Sequence, residues 1–207
     1  MKLKGSIFGC LFLILFLMMV VPALTGEDIF FPEDLLQDVE FINALENQLL
    51  EKFGAKFMYN EARSIVLIDE LMSAFPQNRS GEIIYPEYFG GLYLDDNGNL
   101  TVLVVASEMD SAAYSGFLSV ARGGDVNMRV VNFSHNALYD LMLYIKDIAD
   151  SDMDKVFGIV DRWGVNVKDN TVTVRLIEYS QEQIDLFRNT IVDSPMLTFV
   201  QSGDPGH

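Results

Sequence analysis

Cysteine occurs once in the 207 residues, at Cys10, inside an apolar run. One thiol forms no intramolecular disulfide, so stability must come from a packed core. Histidine is nearly as scarce, with His135 and His207 the two available. Zinc sites draw on several Cys or His ligands, which this chain does not supply. A Ser-His-Asp triad needs a positioned histidine and a serine on a constrained turn, and neither Gly-x-Ser-x-Gly nor Gly-Asp-Ser-Gly occurs. His135 falls at a predicted helix start, where it is expected to be an exposed first-turn residue, and serine hydrolysis is excluded. Basic residues are also few: 14 Lys and Arg face 30 Asp and Glu, a formal net charge of −16. Such a surface repels phosphate backbones and anionic headgroups, which argues against nucleic-acid binding and peripheral membrane docking. Its plain consequence is solubility, and its sharper one is a basic partner.

What is abundant is acid, but its pattern assigns no chemistry. Asp95-Asp96-Asn97-Gly98-Asn99 begins like a calcium loop, yet its glycine comes two places early and the twelfth position, Ala106, offers no carboxylate. The stretch reads as a hairpin turn. Acid–base hydrolysis by two carboxyls would need a cleft holding a buried pair with shifted pKa values, and the sequence singles out no such pair. Trp163, the sole tryptophan, and Tyr85, Tyr88, Phe89 and Tyr93 read as core or cross-strand residues before they read as a ligand face. Asn78-Arg79-Ser80, Asn99-Leu100-Thr101 and Asn132-Phe133-Ser134 fit the glycan acceptor pattern and carry no further argument. No catalytic residue, metal or cofactor is expected.

The N-terminus is a different matter. Lys2 and Lys4 precede an uncharged run from Ile7 to Leu24, followed by Pro22-Ala23-Leu24-Thr25-Gly26 and the acidic Glu27-Asp28. This is the layout of a secretory signal, cut after Ala23 or Gly26. The run exceeds the roughly 7–15 residues of an ordinary signal core, so an uncleaved anchor with the globular part outside is the alternative. Residues 1–26 are thus a signal peptide or anchor, and the expected location is secreted.

Periodicity organises the rest. Leu35, Leu36, Val39, Ile42, Leu45, Leu49 and Phe53 recur at helical steps from Pro32 to Phe53, with Gly54 as the exit. Ile65, Ile68, Leu71, Met72 and Phe75 mark a second helix, about Phe57 to Phe75, that stops at Pro76. These form a helical arm, residues 27–80, with the polar Gln77–Glu82 as its boundary. Two stretches then say nearly the same thing: Gly91 to Val102 and Gly164 to Val174 both read as strand, polar turn, strand. Asn97-Gly98 supplies the positive φ that the first turn needs. Each hairpin is followed by a helix and a returning strand. The helices run from Met109 to Arg122 and from the capping box Ser180…Gln183, and the strands are Val126 to Phe133 and Met196 to Val200. Between them Ser134 caps a helix bearing Leu138, Leu141, Met142, Ile145 and Ile148. The expected fold is α+β: two β-β-α-β units with antiparallel hairpins and packed helices over residues 81–200, preceded by the helical arm and followed by a flexible tail, 201–207.

Four pieces, in order, carry a resemblance. Tyr85-Pro86-Glu87-Tyr88-Phe89-Gly90-Gly91-Leu92-Tyr93-Leu94 with the hairpin that follows resembles the opening of the pro-region of exported bacterial chymotrypsin-fold serine peptidases, of the α-lytic protease and streptogrisin kind. Phe133-Ser134-His135-Asn136-Ala137-Leu138, the hairpin Val165 to Val174, and Asp193-Ser194-Pro195-Met196-Leu197-Thr198-Phe199 are similar to its later parts. The resemblance spans about Tyr85 to Val200, with no peptidase domain behind it. It implies a non-catalytic partner of an exported serine peptidase, a folding helper or inhibitor, with the end of the last strand, Phe199, Val200 and Gln201, facing the enzyme. A secreted or surface adhesion module without a protease partner is the competing expectation.

Overall fold

The computed structural model describes residues 39–123, 126–152 and 156–203. The signal or anchor segment, the start of the helical arm with Pro32, Leu35 and Leu36, and the last four residues, Asp204 to His207, lie outside them. In chain order the elements are α1 (Val39–Phe53), α2 (Ala55–Ser73), β1 (Phe89–Leu94), β2 (Leu100–Val105), a short 3-10 turn (Ala106–Glu108), α3 (Ala112–Gly123), β3 (Asn127–Val131), α4 (His135–Ser151), β4 (Val160–Asn166), β5 (Thr171–Leu176), α5 (Gln181–Thr190) and β6 (Leu197–Gln201). Among the described residues no helix is long and apolar enough to cross a membrane. Contacts divide the chain into two compact units: residues up to Ile65 with Asp96–Gly98, and Val66–Asp95 with Asn99 onward.

In the first unit α1 gives way to α2 at Gly54, whose φ of +83° is the left-handed exit expected after Phe53. Phe53 and Phe57 stack across that break at 5.1 Å. The turn Asp96–Gly98 is pinned to α2 by side chains: Asn60 donates to the Asn97 carbonyl (2.9 Å) and Ser64 to the Gly98 carbonyl (2.8 Å). Gly98 is required there twice over. Its φ is +77°, and a Cβ would sit 2.6 Å from the Phe57 carbonyl oxygen. Of the Asn97-Gly98 pair only the glycine adopts positive φ.

The second unit holds both repeats. Each is an antiparallel hairpin whose second strand pairs in parallel with a strand returned by a helix, giving sheet orders β1-β2-β3 and β4-β5-β6. The α+β architecture with two β-β-α-β units is therefore the observed one. Strand alternation explains the packing: Val172, Val174 and Leu176 are fully buried, while Thr171, Thr173 and Arg175 face the other way. The inner residues of the second sheet join Leu138, Leu141, Ile145 and Phe187 in one core. The first sheet buries Leu100, Val102 and Val104 against Leu71, Phe75, Tyr114 and Phe117. At ~1.5–3 kcal/mol for each fully buried apolar side chain, these two cores account for folding without a disulfide. Ser134 and Ser180 cap α4 and α5, accepting from the amides of Ala137 and Gln183, but the return half of the Ser180…Gln183 box is not made: Gln183 Oε1 is buried and has no hydrogen-bond partner among the described residues. Ser111 does the same for Tyr114 at the start of α3.

Asn170 joins the repeats. It is the one non-glycine residue at positive φ among those described (+54°), and its side chain exchanges two bonds with Phe133, accepting from its amide (3.0 Å) and donating to its carbonyl (2.9 Å). Gly91 (φ +122°) lets Val167 approach the first sheet, since a Cβ there would lie 2.8 Å from the valine methyl. Gln77–Glu82, expected as a boundary, is an ordered turn in which the Asn78 side chain accepts from the amides of Ser80 and Glu82.

Candidate partner-binding surface

β6 lies at the edge of its sheet, paired with β5 on one side. The Val172 amide donates to the Met196 carbonyl and the Ser202 amide to the Leu176 carbonyl. Alternation along a parallel ladder then turns the backbone groups of Phe199 and Gln201 toward the edge that no other described strand pairs with, while the Leu197 amide there donates to the Ser194 carbonyl at 3.2 Å. The three residues expected to face a partner are thus consecutive on an edge strand, but their side chains serve the fold. Phe199 meets Phe187 edge-on at 5.3 Å and lies under the Arg188 guanidinium at 5.5 Å. Val200 is 9% exposed. Gln201 accepts from the Tyr179 amide and donates to the Ile177 carbonyl, which places it beside the exposed side chains of Ile177 and Tyr179.

Beyond β6 the chain stays attached. Ser202 donates from its hydroxyl to the Asp161 carboxylate at 2.7 Å, and Arg162 approaches the same oxygen through Nε at 3.3 Å. The hydrogen bond from Ser202, and after it that from Arg162, holds Asp161 below the usual carboxylate range. Asp161 sits where the β4–β5 register slips, so this bulge carries it and Arg162 together. On the outer face of the sheet, Arg162 stands directly across from Arg175, and Gly164 across from Thr173. A groove of about 410 Å³ runs over these residues to Asn166 and Val167.

Other candidates take plainer positions. His135, expected to be exposed, is half-buried: its ring lies 4.4 Å from Tyr85 and 6.1 Å from Tyr139, and burial lowers its pKa. The correction has a simple cause, since the 85–89 segment folds onto the start of α4, with Asn136 donating to the Tyr85 carbonyl and Ser134 to Glu87. Tyr88 and Phe89 are core, and Trp163 donates to the Met142 carbonyl at 3.2 Å. The Asp95 carboxylate accepts from the amide and side chain of Asn99, a turn rather than a metal loop. No group of metal-binding side chains gathers among the described residues.

One functional-looking residue gave no signal in the sequence. Glu61 on α2 is 2% exposed, its Oε2 has no hydrogen-bond partner among the described residues, and burial pushes its carboxyl from 4.5 to about 7. It is the one buried acid among the described residues.

Comparison with known families gives two matches. Residues 46–120 match the Pro-like N-terminal domain, and residues 136–202 match the Pro-like C-terminal domain. The chain therefore carries a pro-region-like pair of domains, in that order, and the first of them reaches upstream of Tyr85 into α1. Comparison with characterised proteins yields no match.

Proposed function

We propose that this pro-region-like chain is a non-catalytic, exported partner of a secreted serine peptidase, assisting its folding or inhibiting it, and that it docks through the open edge of β6. The two matched domains in consecutive order carry the reading. The edge strand supports it, because an unpaired row of amides and carbonyls is what a strand of a second protein can extend. Phe199 and Gln201 contribute backbone groups to that row, while Val200 and the Phe199 ring hold the strand in register. The Gln201 side chain, tied to Ile177 and Tyr179, fixes the end of the edge beside two exposed apolar groups. A strongly acidic chain also suits a basic peptidase, accelerating encounter at low salt.

The test is a binding and refolding experiment with the chymotrypsin-fold peptidases secreted by the same cell. A complex with Kd between about 1 nM and 1 μM, with a raised refolding yield or lost peptidase activity, is the expected result. Absence of a complex with every one of them would overturn the reading. Gln201→Pro removes an edge amide that β5 does not use, and Gln201→Ala controls for the side chain. The proline variant should bind at least about tenfold more weakly than the alanine variant.

A further inference from the structure

A second groove, of about 330 Å³, belongs to the second compact unit and is lined from the segment that follows α2, the segment before β1, and α3. Its buried lining residues are Tyr88 and Phe117, 6% and 4% exposed. Pro76 and Pro86 line it too, and α3 contributes Ala112, Ala113 and Gly116, all three exposed. None of the lining side chains is charged. The fold does not require Gly116: it sits inside a helix, where only proline is a poorer choice, and a Cβ there would meet nothing within 4 Å. Its effect is to leave the helix backbone open to a close-packed occupant.

Tyr88 supplies the polar group. Its ring packs against Phe75, Tyr114 and Phe117, yet its hydroxyl makes no hydrogen bond among the described residues. Burial raises its pKa, so the phenol stays protonated and is a donor without an acceptor, an arrangement that costs stability until an acceptor arrives. A backbone carbonyl is the uncharged acceptor that suits an uncharged groove. Three kinds of backbone could bring one. A strand needs a ladder partner, and the lining residues lie in a helix and in connecting segments. A helix is about 10–12 Å across, too wide for this volume, and its carbonyls are already bonded. A polyproline II segment has no internal hydrogen bonds, so its carbonyls are free, and its prolines offer rings to aromatic faces.

We propose that this groove receives a proline-containing extended segment of a partner protein, with a proline ring packed on Phe117 beside Gly116 and a carbonyl accepting from the Tyr88 hydroxyl. Charge complementarity adds a basic residue at the end of that segment, since the chain carries a formal net charge of −16 and the exposed Asp110 stands two residues before Ala112. The site is built from the first repeat and the end of the helical arm, apart from the β6 edge. The inference goes beyond the peptidase reading and stands without it.

The experiment uses the full chain and two blocked peptides of about eight residues: Ala-Pro-Pro-Ala-Pro-Pro-Ala-Arg, and the same peptide with alanine at every proline, too short to form a helix of its own. Binding is followed by calorimetry, and its place by the amide resonances, of which Gly116 should shift and Gly164, in the other sheet, should not. The proline peptide should bind at least about tenfold more tightly than the alanine peptide, and more weakly as salt is raised. Tyr88→Phe keeps the ring and removes the hydroxyl; it should weaken the proline peptide about tenfold. Gly116→Leu fills the groove with a better helix former and should abolish binding while the thermal midpoint holds or rises. Equal binding of the two peptides, no binding at millimolar concentration, or unchanged affinity in Tyr88→Phe and Gly116→Leu would overturn the proposal. Self-association of the chain that Gly116→Leu abolishes, without peptide binding, would overturn it in favour of a second copy as the occupant. A failed peptidase assay would leave the result untouched, since no peptidase is present.

Discussion

Glu61 offers the most direct test of the physical reasoning. The turn Asp96–Gly98 lies close on α2, with the Gly98 Cα so near that a Cβ would stand 3.0 Å from the Glu61 amide. The carboxyl on that turn of helix is out of solvent and its Oε2 lacks a donor among the described residues. Desolvation favours the neutral form, which is why its pKa rises from 4.5 to about 7. The consequence for stability has a definite sign. Between these two values the folded chain holds a proton that the unfolded chain has lost, so stability falls as pH rises through this window, and the penalty is complete above about 7. A shift of this size corresponds to at most about 3 kcal/mol, and because the amide of a glutamine buried there still lacks hydrogen-bond partners, the variant recovers about 1–2 kcal/mol. Glu61→Gln keeps the shape and removes the charge. Urea unfolding of wild type and variant at pH 4, 5.5, 7 and 8.5 gives the difference directly: near zero or slightly negative at the lowest pH, and in favour of the variant by about 1–2 kcal/mol at the highest. A difference that stays flat with pH, or that grows toward acid, would refute the burial argument. Using the difference removes the opposing contribution of acids such as Asp161, whose depressed pKa adds stability that is lost as pH falls.

Four further outcomes follow from the same structure. Gly98→Ala meets both a positive φ and the Phe57 carbonyl, and should cost at least about 2 kcal/mol in chemical denaturation. Asn170→Ala loses two bonds to Phe133 and the residue type that tolerates φ +54°, for about 2–3 kcal/mol; Asn170→Gly keeps the backbone freedom and should lose less, which separates the two contributions. Phe187→Ala, at the centre of the second core and against Phe199, should cost about 3–5 kcal/mol and lower the thermal midpoint by several degrees, whereas Tyr139→Ala on the exposed side of α4 should change stability far less. Ser202→Ala removes the principal bond holding Asp161 ionised, so the Asp161 carboxyl should titrate higher by NMR, while the sheet amides keep their exchange protection.

The sequence by itself determined the order of elements and the twofold β-β-α-β plan, because alternation in Thr171–Leu176 and the three- and four-residue steps in α4 report which faces are apolar, and Ser134 and Ser180 announce their helices chemically. Its single cysteine also left no partner for an intramolecular disulfide. It did not determine how the repeats correspond: reading Gly91 against Gly164 looks natural, yet the bulges at Gly90 and Asp161 set Gly91 against Arg162, and only that register shows the buried Leu103 of the first sheet standing where Arg175 stands in the second. Nor did it place Glu61 beneath a turn, His135 among rings, or the Gln201 side chain on Ile177 and Tyr179. Periodicity is a local property of a strand or helix. A bulge shifts pairing by one residue without changing composition, and burial of a polar side chain depends on which distant segment packs over it, so both were decided only when the chain closed on itself.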